Sequence, residues 1–267
     1  MRVLLSSNPY RDRGLRVALE ARRILNNAGA ETALCLPFAP RKGDWLDLPR
    51  QVKLGSMEEE LKRADVLLCF GGDGTILHAA RDATLHDVPI LGVNMGSVGF
   101  MAELERGELS LLTLLAAGEY RTEERMMLSV RVLRGEKVLS EDLALNDAVI
   151  SKGSMARVAE MEVRADGVLV ANLMGDGVIV STPTGSTAYS MSAGGPIVEP
   201  TSRDIIVTPV CAHQLSSPVC AAPERLVTVQ LPGGAGSICT WRWTGARLCA
   251  SPERSGWRSP VPVSPPG

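Results

Sequence analysis

Five apolar residues, Val66–Phe70, run without interruption into Gly71-Gly72-Asp73-Gly74-Thr75 and then into helical spacing that lasts to about Ala83. A run that short and that uniformly apolar is the mark of a strand covered on both faces. Such strands belong to parallel sheets, whose crossovers are helices. The rest of the first hundred residues keeps the same rhythm. Arg2–Ser6 reads as a strand ended by Ser-Asn-Pro, and Leu15, Val17, Ala18, Ala21, Ile24, Leu25 and Ala28 recur at helical spacing before Gly29. Thr32–Leu36 and Pro89–Val93 read as strands, Glu58–Arg63 as a polar helix, and Leu109–Ala117 as an amphipathic one. The expectation is an α/β domain over residues 1–122 with a parallel sheet.

After Glu123 the rhythm changes. Met126–Leu133 alternates, Leu143–Ile150 reads as one strand, and Val158–Arg164 and Val168–Leu173 flank Asp166-Gly167, a strong hairpin signal. Val178–Ser181 and Ile205–Thr208 add strands, so residues 123–231 are expected to form a β-rich domain. The net charge of −2 lacks the basic field of a sequence-independent nucleic-acid binder. No apolar stretch approaches the ~20 residues that span a bilayer, and the opening apolar segment is too short for a signal peptide. Six cysteines without regular spacing read as neither a disulfide framework nor a metal set, and a reduced, cytoplasmic setting is expected. Cys35/Cys69 and Cys211/His213 read as core or turn residues.

Three groups of residues carry chemistry. Gly71, Gly72, Asp73, Gly74 and Thr75 form a phosphate-loop candidate: glycines admit a phosphate closely, and the following helix offers free N–H groups. Aspartate repels phosphate, so Asp73 suits proton abstraction or Mg²⁺. The alternative is a tight strand-to-helix turn with Asp73 as N-cap. The second group is Gly175-Asp176-Gly177 and Thr182-Pro183-Thr184-Gly185-Ser186-Thr187-Ala188-Tyr189-Ser190, closed by Ser192–Pro196. So many hydroxyls and glycines between apolar strands suit a polar ligand with phosphate and ribose, against a tight crossover turn as the alternative. The third is Asn146-Asp147 inside an apolar run, suited to a ribose diol or to a β-bulge.

Taken in that order, Gly71–Gly74, Asn146-Asp147 and Thr182–Tyr189 resemble the bacterial NAD kinase family over about residues 1–231. The first loop is shared with diacylglycerol-type lipid kinases and phosphofructokinases; the long run from Asp176 to Pro196 is much more specific. The resemblance implies an NAD kinase/diacylglycerol kinase-like fold and transfer of the ATP γ-phosphate to the 2′-hydroxyl of the adenosine ribose of NAD, giving NADP. It implies Asp73 as catalytic base beside Gly74, and Asn146 and Asp147 on the NAD riboses, where the family more often has Glu at the second place. It further implies an adenine and ribose pocket at Thr187, Ala188, Tyr189, Ser190, Met191 and Ser192, with His78, Phe100, Arg157 and Asp176 at contact positions. Mg²⁺ or another divalent metal enters with ATP rather than in a protein cage, and polyphosphate is the other donor the family uses. Homodimers or homotetramers are implied; nucleic acid and membrane partners are not.

Two other readings compete: a lipid kinase sharing the glycine loop, and an NAD(P)-binding protein that does not turn over. The second draws on the C-terminus. Residues 232–267 hold three of the four Trp and six of the 17 Pro, with no Lys, no Asp and one Glu. Upstream, Ala212-His213-Gln214-Leu215-Ser216-Ser217-Pro218 lacks an arginine that the family carries there. Read from the third codon base from Ile238 onward, the Trp243-Thr244 junction encodes Asp, and the tail can become two alternating segments about an Asp-Gly turn. The expectation is a frameshift between Leu231 and Ile238, with the tail as written poorly ordered.

Overall fold

A computed structural model describes residues 1–40, 43, 46–96, 99–152, 158–213, 217–231, 246–252 and 257–262, the last two stretches by backbone alone. The chain divides into two compact units, residues 1–124 with 257–267, and residues 125–256.

The first unit is the α/β domain. Its strands are β1 (Arg2–Ser7), β2 (Glu31–Cys35), β3 (Val66–Gly71), β4 (Ile90–Asn94), β5 (Leu104–Glu105) and β6 (Tyr120–Arg125). Its helices are α1 (Arg16–Asn27), α2 (Met57–Leu61), α3 (Asp73–Leu85) and α4 (Leu112–Ala117). Strands β1–β5 form one parallel sheet in the order β2-β1-β3-β4-β5. Every residue of β3 is buried, as the uninterrupted apolar run requires. Alanines and leucines of α1 (Ala18, Ala21, Leu25) pack with Val3, Leu5, Leu68 and Phe70 in one core. Cys35 and Cys69 are buried free thiols in β2 and β3, and burial pushes Cys35 up to about 12, so both are neutral core residues.

The second unit is all β. It contains β7 (Leu128–Arg134), β8 (Lys137–Ala144), β9 (Asp147–Ser151), β10 (Ala159–Ala165), β11 (Val168–Gly175), β12 (Gly177–Ser181), β13 (Ile205–Val210), β14 (Val219–Ala221), β15 (Val227–Gln230) and β16 (Ala246–Pro252), with the short helix α5 (Tyr189–Ser192). They make a six-stranded sheet, β11-β10-β15-β16-β7-β8, and a four-stranded one, β14-β13-β12-β9. Met161, Val163 and Val229 of the first share a core with Val178, Val180 and Ile205 of the second. The β10–β11 turn has Asp166 at φ 48° and Gly167 at φ 82°, the left-handed pair of a tight hairpin. Leu226 N–H and Arg225 both donate to the Asp166 carboxylate and hold it below its usual range. From the tail, β16 lies between β15 and β7, and β17 (Trp257–Pro262) pairs with β6 in the first unit. The remaining tail residues, with Trp241, Trp243 and Cys239, lie outside the described residues.

One expectation and one alternative need correction. The stretch Leu143–Ile150 is not one strand: β8 ends at Ala144, β9 begins at Asp147, and Leu145 and Asn146 are the bend between them. Asn146 therefore lies in the bend, and Asp147 opens β9. Nor does Asp73 cap α3. Gly72, extended at φ −103° and ψ −174°, is the N-cap, and Asp73 is the first helical residue.

Candidate functional site

The strand order β2-β1-β3-β4-β5 reverses direction between β1 and β3, and open α/β sheets bind ligands outside the carboxyl ends of the strands at such a point. A cavity of about 280 Å³ lies there, lined by Asn8 and Arg11 after β1, Phe38 after β2, Gly72, Gly74 and Thr75 after β3, and Gly96 after β4. The glycines divide by role. A Cβ on Gly71 would lie 2.5 Å from Thr75 Cβ, so Gly71 lets the helix fold back on the strand. A Cβ on Gly72 or Gly74 would meet nothing within 4 Å. Packing does not demand those two glycines, and the backbone beside them is open to close approach.

Asp73 stands beside this cavity, half-buried, with its carboxylate fixed from outside the helix. Phe100 N–H donates to Oδ2 and Met101 N–H to Oδ1, both at 3.2 Å. Each oxygen keeps lone pairs for a further proton or cation. Phe100 thus contributes its backbone, while its ring is 70% exposed. His78, one face further along α3, is exposed and packs its ring against Phe38 at 6.0 Å.

The loop from β1 to α1 is held by a residue that sequence reading passed over. Asp12 is 2% exposed; it accepts from Ser7 Oγ and from the Val17 and Ala18 N–H groups that open α1. Asn8 bonds back to Phe70 O through its N–H, and its side-chain amide donates to Thr75 Oγ1 at 3.2 Å. Asn8, Arg11 and Phe38 were not among the expected site residues. The available signal was positional: all follow the carboxyl ends of strands of the parallel sheet.

In the second unit the segment after β12 folds onto the Leu145-Asn146 bend. Thr182 N–H donates to Asn146 O at 2.9 Å, Thr182 Oγ1 to Leu145 O at 2.5 Å, and Gly185 N–H to Thr182 Oγ1 at 3.0 Å. A Cβ on Gly185 would lie 2.7 Å from Asn146 Cα and closer still to its carbonyl. Three buried oxygens in this cluster, Asn146 Oδ1, Ser181 Oγ and Thr184 Oγ1, have no hydrogen-bond partner among the described residues. Buried polar atoms are satisfied as a rule, so these three are exceptions in the described structure. Asp147, paired with Ser181 in register, has its carboxyl pushed up by burial. It lines a second cavity of about 350 Å³ with Asp142, Ser140 and the apolar Val130, Val132 and Val149.

The other expected residues separate. Tyr189, Met191 and Ser192 are exposed, and Thr187 and Ala188 are half-buried beside them. Ser190 is fully buried, with its hydroxyl on Thr208 Oγ1 at 2.8 Å, so it fastens α5 to β13. Asp176 pairs with Lys152 at 2.5 Å. Arg157 lies outside the described residues. No group of three or more His, Cys, Asp or Glu among the described residues could hold a metal ion. No helix among them is long and apolar enough to cross a membrane.

Comparison with known proteins decides the family. Residues 17–120 match the ATP-NAD kinase N-terminal domain, and residues 145–254 match the ATP-NAD kinase C-terminal domain. The chain belongs to the NAD kinase family. It is a kinase phosphotransferase of that family. It is 39% identical over 212 residues to an NAD kinase of Ruminiclostridium cellulolyticum, covering 79% of this chain and 72% of that one. Across the curated relatives compared, the matched stretch spans between 54% and 72% of their length. Two solved structures share the fold. Yeast NADH kinase complexed with NADH superposes with a TM-score of 0.79 at 22% identity, covering 98% of this chain and 84% of that chain. An NAD kinase from Archaeoglobus fulgidus in complex with ATP gives a TM-score of 0.68 at 24% identity, covering 97% and 93%. The lipid-kinase and non-catalytic readings are not favoured.

Proposed function

We propose that this NAD kinase transfers the γ-phosphate of ATP to the 2′-hydroxyl of the adenosine ribose of NAD, producing NADP and ADP. The observation that carries the mechanism is Asp73: a carboxylate at the head of α3, oriented by two backbone N–H groups and beside glycines that leave room for a phosphate. A secondary hydroxyl is a weak nucleophile, and a positioned carboxylate that accepts its proton during in-line transfer contributes about 10²–10⁴-fold in rate. Asn146, Asp147 and the Thr187–Ser192 segment hold NAD; the partnerless oxygens of Asn146, Ser181 and Thr184 suit ribose hydroxyls and phosphate. Arg157, His78 and Asp176 are assigned to the same ligand on the family pattern. The divalent metal arrives bound to the donor's phosphates, as part of the substrate.

The protein works in the cytoplasm as a homodimer or homotetramer. Residues 1–122 form the domain of the glycine loop and 123–231 the NAD-binding domain. The gene's frame changes between Leu231 and Ile238. Resequencing tests the last point: codons confirmed as written remove a sequencing artefact and leave only a natural frameshift. Incubating the protein with Mg²⁺, NAD and either ATP or polyphosphate, and measuring NADP, tests the reaction. No NADP from either donor overturns the kinase reading.

A further inference from the structure

We propose that the stacked rings of Tyr10 and Phe38 are the platform for the base of a nucleoside triphosphate, and that Arg11 is the cation for its phosphates. The proposal rests on the kinase reading and deepens it, because it makes the phosphate donor a nucleotide rather than inorganic polyphosphate.

Arg11 lines the 280 Å³ cavity, is exposed, and has no ion-pair partner among the described residues. The arginines held in ion pairs, such as Arg2 with Glu60 and Arg164 with Glu162, show what such a side chain does here when a carboxylate is offered. Its loop is not loose: Arg11 N–H donates to Asn8 O at 3.0 Å, and the neighbouring Asp12 is locked into the start of α1. An arginine on a fixed backbone, lining the same phosphate-sized space as Gly72 and Gly74, can serve as an anion clamp.

The rings supply the second half. Tyr10 and Phe38 stack at 5.9 Å with planes 18° apart. Tyr10 keeps 43% of its surface in water. An exposed aromatic stack beside a charged cradle gains from a flat π-face laid on it, which a nucleobase has and a chain of phosphates lacks. The cavity alone is at the small end for a nucleotide, so the phosphates fill it and the base lies on the open shelf.

Calorimetric titration of the full chain with Mg·ATP and with Mg·tripolyphosphate tests this. The unmodified protein should bind ATP at least tenfold tighter. Tyr10→Ser and Phe38→Leu should each weaken ATP about tenfold and leave tripolyphosphate unchanged, while Arg11→Gln weakens both. Should Phe38→Leu not fold, the exposed Tyr10→Ser decides. Equal binding of the two ligands to the unmodified protein, or ring variants that lose both alike or neither, overturns the platform. ATP bound on the rings with no NADP formed sinks the kinase reading and leaves the platform standing.

Discussion

Gly71–Thr75, with three glycines and one threonine, and Thr182–Ser192, with one glycine among serines and threonines, each follow an apolar strand, yet the structure uses their glycines in opposite ways. In the first, Gly72 and Gly74 face open space on either side of one oriented carboxylate. In the second, Gly185 is pressed against Asn146, beside side-chain oxygens buried without partners among the described residues. In one region the glycines leave open space. In the other, glycine lets two backbone segments touch and fixes the hydroxyls beside them. Glycine content alone does not distinguish a phosphate loop from a packed wall.

Substitutions can break that contrast. The largest effect falls on Asp73→Asn, which should lower NADP formation by about 10²–10⁴-fold while the Tm moves little, since an amide oxygen still accepts from Phe100 or Met101. A variant turning over at full rate removes Asp73 as base. Next comes Gly185→Ala. Its Cβ meets backbone that cannot step aside, and a loss of about 3 kcal/mol should lower the Tm by roughly 6–12 °C. Gly74→Ala is the counterpart: with nothing in the way, and in the first turn of α3, it should fold with unchanged or slightly raised Tm and show its effect in the KM for the donor. A Gly74→Ala protein that unfolds as Gly185→Ala does would erase the distinction.

Much of this was legible in the chain. The apolar run Val66–Phe70 became a strand buried along its whole length, and Asp166-Gly167 became the left-handed hairpin turn. Both are local signals, in which neighbouring residues fix the outcome. What escaped was non-local. Asn8, Arg11 and Phe38 join Gly72 only because β1, β2 and β3 lie side by side in parallel, across up to 64 residues of chain. Tyr120–Arg125 was hidden because it alternates too weakly, being a polar ribbon paired only with β17. The break at Leu145-Asn146 was read as an interruption within a strand. Its cause, the Thr182 side chain and N–H gripping the two carbonyls, lies 37 residues away.

Asp147 gives the smallest and most diagnostic effect. Burial raises its pKa above the usual 3.8, so between that value and the raised one the folded protein holds a proton that the unfolded chain has lost. Its contribution to stability is therefore complete below about pH 3.8 and is lost as pH rises through the folded value. Asp147→Asn removes the buried charge without changing shape. The variant should match the parent's Tm at about pH 3.5 and exceed it by a small margin at about pH 8. Under the kinase reading the same change weakens NAD, raising its KM about tenfold through loss of a charged acceptor. A gain in stability coupled to a loss of NAD affinity marks a group held in the wall for its ligand. A loss of both would mean that the Asp147 carboxylate supports the strand β9 itself, and the second region would then be a structural wall to its last residue.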